Sequence, residues 1–270
     1  MVKATDQFIN QQHFLARLLR FGECVEMRKR PRILGVIPAR YDSQRLPGKV
    51  LLRIGPKAMI HWVYERARKS PHLEQILVAT DSDKVQEYCT AHDIPVMRTR
   101  RHPSGSDRLN EVMERTDADI YVNIQGDEPT IRTDHIELLL RPLLAGESEV
   151  TTLKVALSEA AAQNPNIVKV VTDIHGRALY FSRLPIPFDR DAGGAIHYYK
   201  HIGLYGYTRA ALALFNSLPQ SSLELAEKLE QLRYLENGVA IHVPETQYDT
   251  IGVDTAEDLE QATALLTAGG

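Results

Sequence analysis

Residues 33–37 read ILGVI and continue directly into IPARYDSQRLPGK at residues 37–49. The short apolar run is typical of a buried strand in a parallel sheet. Because Pro38 and the pair Pro47-Gly48 exclude a helix across the second segment, we expect an ordered loop at the carboxyl end of that strand. The rest of the predicted fold is organised around this strand and its loop.

Three cations, Arg40, Arg45 and Lys49, lie within ten residues of one another in this loop. An arginine offers a planar fork of donors to phosphate oxygens, and a lysine offers a compact point charge. A rigid loop with these side chains at the edge of an α/β sheet suits a polyphosphate. A solvated basic loop is the alternative interpretation, because such loops are common, and the stretch alone does not choose between the two.

The sequence after this loop alternates between strand patterns and helix patterns. Strands are predicted at 75–80 (QILVAT), 94–97 and 119–124 (DIYVNI), and helices at 58–69, 82–91, 106–115 and 133–144. This order predicts an α/β fold with a mostly parallel, twisted sheet and helices on both faces. In such a fold ligands bind beyond the carboxyl ends of the strands, where the basic loop is expected.

The second half of the chain changes character. Strands are predicted at 150–156, 167–172, 178–181, 200–207 and 239–243, and helices at 223–236 and 255–268. The turn His175-Gly176 indicates a hairpin, and the Pro-, Asp- and Gly-rich residues 185–194 indicate an extended loop. We expect the region from about 172 to 200 to be an insertion that carries substrate contacts or a dimer interface.

Residues 1–31 are predicted to be an N-terminal helical extension, with residues 32–270 forming the main domain. Apolar residues recur at roughly helical spacing from Phe8 to Phe21, Gly22 is a candidate end of the helix, and a basic linker follows at 28–32.

Composition and charge exclude several function classes. The net charge of -3 over 270 residues argues against broad nucleic-acid binding. Cys24 and Cys89 lie far apart without a CxxC pair, so free thiols in a reducing compartment are expected. Since no apolar run approaches the roughly 18 residues that span a bilayer, and no secretory signal is evident, we expect a cytoplasmic protein without membrane contact.

Two acidic stretches follow predicted strands and are candidates for metal ligands. Asp127 and Glu128 lie in QGDEP directly after the strand 119–124, where two adjacent carboxylates can hold a hard divalent cation. A helix cap is the alternative role, but Pro129 makes Asp127 a poor cap. Asp254 precedes the last helix, where Asp254 or Thr255 is also a good N-cap. A metal role for Asp254 depends on the fold bringing it beside Asp127.

A further loop, HPSGSDR at 102–108, offers backbone amides for an anion or a base edge, although a plain turn with a helix cap explains most of it. Later in the chain, five polar residues lie in apolar or amphipathic surroundings: Arg183, His201, Tyr205, Glu230 and Gln231. An arginine and a histidine beside a tyrosine would suit a carboxylated, polyhydroxylated ligand. Each residue taken singly is also explained as a satisfied core or surface residue.

Taken together, these motifs resemble the CMP-Kdo synthetases, the 3-deoxy-manno-octulosonate (Kdo) cytidylyltransferases among the sugar nucleotidyltransferases. In chain order they are IPARYDSQRLPGK, VATD, SGSDR, NIQGDEP, ALYFSR, HIGLYGY, EKLEQLRYLENG and GVDTAEDL, and the resemblance runs from about 33 to 265. It implies a Rossmann-like nucleotidyltransferase fold and a reaction of CTP with Kdo that gives CMP-Kdo and pyrophosphate, with Mg²⁺.

The resemblance also implies roles for particular residues. Arg40 and Lys49 match the triphosphate-binding cations, with Arg45 a further candidate, and Asp127 and Asp254 match the metal-binding aspartates. Ser104, Gly105 and Arg108 match the loop near the cytosine, and Gln125 matches the residue between nucleotide and sugar. The sugar-acid pocket is matched by Arg183, His201, Tyr205, Glu230 and Gln231. Members are typically homodimers that meet through the inserted hairpin region.

The chain departs from the family pattern in two places, and several alternative functions remain open. The family loop usually reads SGTER, whereas this chain has SGSDR, which keeps the chemical type. Residues before about 32 have no counterpart, so nothing is transferred onto them. The nearest rival is a cytidylyltransferase for another α-keto sugar acid, such as 8-amino-Kdo or a sialic-type acid. A uridylyl- or guanylyltransferase, a glycosyltransferase and a catalytically silent nucleotide sensor are further alternatives.

Overall fold

Strand β1 (Ile33–Ala39) carries the sequence ILGVIPA and lies between two parallel neighbours in the middle of the main sheet. The computed structural model describes residues 30–42, 46–102, 104–191 and 196–268, and the chain from Arg32 onward forms one unit. The predicted N-terminal helix and the candidate Arg45 lie outside the described residues.

The strands that follow β1 are short apart from one in the second half. They are β2 (Arg53–Ile54), β3 (Lys57–Ala58), β4 (Gln75–Thr80), β5 (Val96–Arg98), β6 (Ile120–Asn123), β7 (Val150–Leu157), β8 (Lys169–Thr172), β9 (Ala178–Ser182), β10 (Tyr198–Thr208) and β11 (Glu245–Thr246). Within the described residues the main sheet has the order β11-β7-β10-β6-β1-β4-β5, with β8 beside β10 and β9 beside β8.

Helices pack on the sheet between these strands. They are α1 (Met59–Ala67), α2 (Asp83–Ala91), α3 (Gly105–Arg115), α4 (Thr133–Ala145), α5 (Glu159–Ala162), α6 (Arg209–Ser217), α7 (Ser222–Glu227), α8 (Leu232–Glu236) and α9 (Ala256–Thr267). A short 3-10 turn covers Lys49–Leu51. Among the described residues, none of the helices combines the length and the hydrophobicity needed to cross a bilayer.

The sheet is parallel in the first half of the chain and antiparallel in much of the second. Strand β1 pairs in parallel with β4 and β6, whereas β10 runs antiparallel to β6 and β7. Buried apolar side chains cover both faces of this sheet in two large clusters. The predicted α/β class is confirmed, and the carboxyl ends of β1, β4 and β6 meet at one edge of the sheet.

A bulge in β10 shapes the part of the sheet next to β7. The pairing register shifts between Ile202 and Gly206. A Cβ at position 206 would lie 2.6 Å from Leu143 Cδ1 and 2.8 Å from Thr151 Oγ1, so any larger residue would require these side chains to shift. The bulge turns backbone carbonyls of β10 towards the side chain of Thr152 on β7.

Two of the predicted elements are wrong in detail. The single helix predicted at 223–236 is two helices, because Lys228 adopts the left-handed conformation (φ 56°, ψ 46°) after α7 and α8 begins only at Leu232. The strand predicted at 239–243 is reduced to isolated bridges at His242, and the edge strand lies later, at β11. Helix α6 was not predicted, because it follows β10 without a glycine or proline to mark the boundary.

The predicted hairpin is present as β8 and β9, which pair antiparallel around the turn at 173–177. The fully buried Lys169 stabilises the base of the hairpin. Lys169 Nζ donates to the carbonyl oxygens of Asn164 (3.0 Å), Ile167 (2.6 Å) and Arg183 (2.5 Å). These bonds satisfy a buried ammonium group and fix the start of the loop that follows the hairpin.

Candidate active site

A cavity of about 190 Å³ opens at the edge of the sheet where β1 and β6 end. The predicted residues that line it are Arg40, Lys49, Ser104, Gly105, Arg108, Gln125, Asp127 and Glu230. The loop after β1, the loop after β6 and the start of α3 therefore form one site, as expected for ligand binding at the carboxyl ends of parallel strands.

Lys49 connects the two acidic stretches at this cavity. Its Nζ donates to Asp127 Oδ2 and lies 2.9 Å from Asp254 Oδ1. Burial lowers the pKa of Lys49, but the two carboxylates outweigh this effect, so the pKa is raised above its usual value. Two carboxylates from distant parts of the chain thus converge on one cation.

Backbone contacts hold the loops of the two aspartates close to each other. The amide of Val253 donates to the carbonyl oxygen of Asp127 over 2.9 Å. At Gly126, an added Cβ would lie 3.0 Å from the carbonyl oxygen of Pro38, so the loop after β6 can approach β1 only with glycine at this position. Direct backbone contacts therefore fix both carboxylate loops beside Lys49.

The alternative role of Asp254 as a helix cap does not hold. Thr255 is the N-cap of α9, and its Oγ1 accepts from the Asp258 amide over 3.2 Å. The Asp258 carboxylate accepts in return from the amides of Asp254 and Thr255. This capping box satisfies the start of the helix and leaves the Asp254 carboxylate directed at Lys49.

The aspartate pair fits a hard divalent cation. Both carboxylates converge on one ammonium group, and their side chains stay partly exposed, at 28% for Asp127 and 43% for Asp254. Among the described residues no cluster of three or more metal-ligating side chains occurs. Two protein carboxylates with the remaining positions open to substrate oxygens is the usual arrangement for Mg²⁺.

The start of α3 forms the opposite wall of the cavity. Ser104 is its N-cap, and Ser104 Oγ accepts from the Asp107 amide over 3.1 Å. Arg108, one turn further on, is buried and donates to Thr99 Oγ1 (2.6 Å) and Asp81 Oδ1 (3.0 Å). Arg108 therefore ties α3 to the ends of β4 and β5, while Ser104 and Gly105 at the start of α3 line the cavity.

His102, from the predicted loop at 102–108, lies at this wall and contacts Glu111, a residue that no sequence motif indicated. His102 lines the cavity, and its Nε2 lies 2.6 Å from Glu111 Oε2, which also accepts from the amide of Arg100 over 2.9 Å. Burial raises the pKa of Glu111, but these hydrogen bonds outweigh it and hold the pKa at about 2. The spacing of nine residues between His102 and Glu111 gives no recognisable sequence signal.

A second cavity of about 260 Å³ adjoins the first. Gly105, Gln125 and Glu230 line both cavities. The second cavity is also lined by predicted sugar-site residues on β10 and near α8, namely His201, Tyr205 and Gln231. Asn123, at the end of β6, lines it as well and was missed, because its motif was assigned to the neighbouring aspartate.

Burial dominates the electrostatics of the second cavity. It lowers the pKa of His201 to about 3, with a smaller effect from Lys200, and raises the pKa of Tyr205 well above its usual value. Burial also raises the pKa of Glu230, although hydrogen bonds from Ser106 and Ser104 oppose it. His201 and Tyr205 therefore present neutral side chains to a ligand.

Arg183 lies apart from both cavities. Its Nε donates to the carbonyl oxygen of Glu227 over 2.8 Å, and its Nη1 donates to that of Pro165 over 3.3 Å. Its amide donates to the Glu227 carboxylate over 3.0 Å. Four of the five residues predicted for the sugar site thus line the second cavity, and Arg183 is held at the hairpin instead.

Glu128 is a further acid behind the site. It is partly buried beside Asp127, and desolvation of its carboxyl group raises its pKa to about 7. Its Oε1 would lie 3.3 Å from a Cβ at Gly252, in the loop that leads to Asp254. Glu128 therefore packs between the two aspartate loops.

Comparison with known proteins links this geometry to a family. Residues 34–241 match the cytidylyltransferase family. The chain is 54% identical over 235 residues to the 3-deoxy-manno-octulosonate cytidylyltransferase of Acidobacterium capsulatum, which covers 87% of this chain and 96% of that protein. It is 45% identical over 248 residues to the protein of the same name from Geobacter sulfurreducens, covering 85% of this chain and 97% of that protein.

Solved structures show the same relationship. The structure of CMP:2-keto-3-deoxy-manno-octonic acid synthetase complexed with CTP matches with a TM-score of 0.85 and 45% identity, over 88% of this chain and all of that one. The 4-diphosphocytidyl-2C-methyl-D-erythritol synthase of Anaerococcus prevotii matches with a TM-score of 0.59 over 88% of this chain and all of that one. At 14% identity this second likeness shows the fold alone.

Proposed function

This chain belongs to the 3-deoxy-manno-octulosonate cytidylyltransferase family, and we propose that it converts CTP and Kdo into CMP-Kdo and pyrophosphate, for the synthesis of a lipopolysaccharide precursor. In this reaction the anomeric hydroxyl of the sugar acid attacks the α-phosphorus of CTP. The bond from the α-phosphorus to the bridging oxygen breaks, pyrophosphate leaves, and the hydroxyl proton is released.

The convergence of Lys49 with Asp127 and Asp254 at the first cavity carries this proposal. A cation and two carboxylates at the carboxyl ends of parallel strands match a triphosphate that is bound together with a metal ion. Arg40 lines the same cavity and adds a second positive side chain for the triphosphate.

We propose Mg²⁺ as the metal, held by Asp127 and Asp254 together with phosphate oxygens of CTP. When bound, Mg²⁺ polarises the α-phosphate and offsets its negative charge. Arg40 and Lys49 stabilise the charge that develops on the leaving pyrophosphate. Positioning and electrostatic stabilisation account for the chemistry, as in phosphoryl transfer generally.

We assign the two substrates to the two adjoining cavities. The nucleotide occupies the first cavity, with its base beside Ser104, Gly105 and the start of α3. The sugar acid occupies the second cavity, against His201, Tyr205, Glu230 and Gln231, and Gln125 lies between the two ligands.

We further propose a homodimer formed through the hairpin region and a location in the cytoplasm. Large apolar side chains are exposed at the hairpin and the loop after it, including Ile174 at 95%, Leu179 at 61%, Leu184 at 69% and Phe188 at 83%. Apolar surface of this extent in one region is typical of a protein interface. The buried free thiol of Cys89 is compatible with a reducing compartment.

A pyrophosphate-release assay tests the proposed function. Purified protein with Mg²⁺ is given CTP, UTP, GTP or ATP in combination with Kdo, 8-amino-Kdo or a sialic-type acid. The fastest release is expected for CTP with Kdo. Stronger turnover with another nucleotide, or no turnover with any of the sugar acids, would overturn the proposal, and faster turnover with a different acid would reassign the sugar.

A further inference from the structure

The second cavity contains polar groups that lack a hydrogen-bond partner within the protein. Among the described residues, Asn123 Oδ1 and Gln231 Nε2 are buried without one, and both residues line this cavity. Because buried polar groups in native proteins are nearly always satisfied, a ligand with matching donors and acceptors is expected there. His201 lines the same cavity, and its ring can present either a donor or an acceptor.

The tautomer of His201 is decided by a threonine on the neighbouring strand. Thr152 Oγ1 lies 2.9 Å from His201 Nε2, 3.0 Å from the carbonyl oxygen of Ile202 and 2.8 Å from that of Leu204. The bulge in β10 creates this arrangement, because it directs two carbonyl groups at one hydroxyl group.

A hydroxyl group has one proton to donate, and a carbonyl oxygen can only accept. The Thr152 proton must therefore point at Ile202 or Leu204, since otherwise two carbonyl oxygens would face a hydroxyl oxygen with no proton between them. The remaining contact of Thr152 Oγ1 is then made by accepting a proton from His201 Nε2. His201 carries its proton on Nε2, and Nδ1 is left with its lone pair.

The surroundings of the ring keep it neutral. Phe181 packs edge-on against the His201 ring at 5.0 Å between centroids, and Tyr205 lies at 5.4 Å on a tilted plane. This burial, together with the nearby charge of Lys200, lowers the pKa of His201 to about 3. At neutral pH the ring is not an imidazolium ion that could pair with a carboxylate.

We propose that Thr152 is a positioning residue for the sugar acid: it holds His201 as the Nε2–H tautomer, so that Nδ1 accepts a hydrogen bond from a hydroxyl group of the sugar. This inference rests on the proposed function, because it names the group of the sugar acid that His201 recognises. The sequence predicted that Arg183, His201 and Tyr205 together suit a carboxylated, polyhydroxylated ligand, and this inference assigns His201 to a hydroxyl group of that ligand.

This assignment makes the second cavity selective for hydroxyl groups. The lone pair of Nδ1 and the amide oxygen of Asn123 both accept hydrogen bonds, and a sugar hydroxyl donates one. A carboxylate placed against either acceptor would be repelled. A sugar acid that lacks the matching hydroxyl leaves a buried acceptor unpaired, which weakens its binding.

Nitrogen NMR of the free protein tests the tautomer directly. Protein labelled with ¹⁵N at histidine is examined between pH 6 and 8 in a long-range proton–nitrogen correlation experiment, with His201 assigned from a His201→Gln sample. The expected pattern is that of a neutral ring protonated at Nε2, unchanged over this range. A ring protonated at Nδ1, or at both nitrogens, would overturn the inference.

Kinetics of three variants test the role of Thr152. Thr152→Val removes the hydroxyl group at nearly constant shape, and Thr152→Ser restores it. Thr151→Val is the matched control, because the adjacent Thr151 is also fully buried but its Oγ1 has no partner among the described residues. The KM for the sugar acid is expected to rise about tenfold in Thr152→Val, with an unchanged KM for CTP and near-normal values for the other two variants.

The outcomes separate this inference from the proposed function. Absence of turnover by the unmodified protein would refute the function, whereas the NMR pattern of His201 reports on the tautomer regardless of turnover. Normal turnover of Kdo with an equal KM for the acid in Thr152→Val and Thr151→Val would overturn the positioning role alone.

Discussion

Lys49 Nζ lies 2.9 Å from Asp254 Oδ1, although the two residues are 205 positions apart in the sequence. Asp127 reaches the same ammonium group from the loop after β6. Lys49 therefore pairs with both carboxylates where the proposed metal would bind, and its single charge offsets one of their two negative charges. The same side chain is expected to contact phosphate during the reaction. Lys49 therefore pairs with the two carboxylates in the protein without ligand and is expected to pair with phosphate in the protein with CTP.

The two aspartates are expected to be essential for turnover. Asp127→Asn or Asp254→Asn keeps the size of the side chain but removes a metal-binding charge. Pyrophosphate release should fall at least about a hundredfold for each variant, because the metal and the charge that it offsets are lost together. The measurement is the rate across a Mg²⁺ titration.

Asp134→Asn is the control for this pair. Asp134 lies in the first turn of α4, where its carboxylate pairs with Arg132 and its side chain is 55% exposed. This variant should keep its activity. Near-normal turnover by both Asp127→Asn and Asp254→Asn at saturating Mg²⁺ would contradict the metal assignment.

Replacing Lys49 should have opposite effects on metal binding and on turnover. Lys49→Met removes the cation that lies between the two carboxylates, so Mn²⁺ should bind the nucleotide-free protein more tightly than it binds the unmodified protein. Turnover should nevertheless fall, because the leaving pyrophosphate loses a positive partner. Calorimetric titration with Mn²⁺ and the pyrophosphate assay measure the two effects, and weaker metal binding by Lys49→Met would contradict the competition.

Glu111 should stabilise the fold at neutral pH but not in acid. Its folded-state pKa of about 2 lies below its ordinary value of 4.5. The carboxylate therefore stabilises the protein fully above pH 4.5, and this contribution is lost as the pH falls from 4.5 towards 2. Glu111→Gln should lower the free energy of unfolding at pH 7 by up to about 3 kcal/mol, from the size of this pKa difference.

Urea denaturation at pH 7 and at pH 3 measures this difference. Glu114→Gln is the matched control, because Glu114 is exposed on the same helix and accepts only from Asn110 Nδ2 among the described residues, over 3.2 Å. Its substitution should have little effect at either pH. A loss of stability in Glu111→Gln that stays constant between the two pH values would show that the carboxylate acts by packing rather than by charge.

Substitutions at two helix caps should separate an effect on stability from an effect on nucleotide binding. Ser104 caps α3 at the cavity, and Thr208 caps α6, where its Oγ1 accepts from the Ala211 amide over 3.2 Å. Ser104→Ala and Thr208→Ala should each cost about 1 kcal/mol of stability. Only Ser104→Ala should also raise the KM for CTP, since Ser104 lines the cavity proposed for the nucleotide and caps the helix that begins there. An equal KM for CTP in both variants would argue against a base or phosphate site at α3.

Several features of the fold were predictable from local pattern. The runs ILGVI and QILVAT are buried strands of the sheet, and their apolar character reflects cover on both faces. The break at Lys228 was not predictable, because the residues around it keep helical spacing while one backbone conformation ends the first helix. The shift of the edge strand from 239–243 to β11 depends on which backbone lies against β7.

The candidate site was likewise predictable from the sequence only in part. The cations and carboxylates were recognised as chemical types in loops after predicted strands, and Asp254 could not be distinguished from a helix cap without the neighbouring Thr255 geometry. His102 and Glu111 acquire their roles through a contact between a loop and a helix. Arg183 was selected by residue type, and its contacts with Glu227 and Pro165 place it at the hairpin.

The sequence by itself determined the class of fold, the basic loop after the first strand and the family, because these depend on local periodicity and on motifs in a fixed order. Tertiary structure alone decided that Lys49, Asp127 and Asp254 meet, since parallel strand order brings distant loops to one edge of the sheet. It also decided the tautomer of His201, because a bulge in one strand and a threonine on the next must lie side by side before one proton can be assigned.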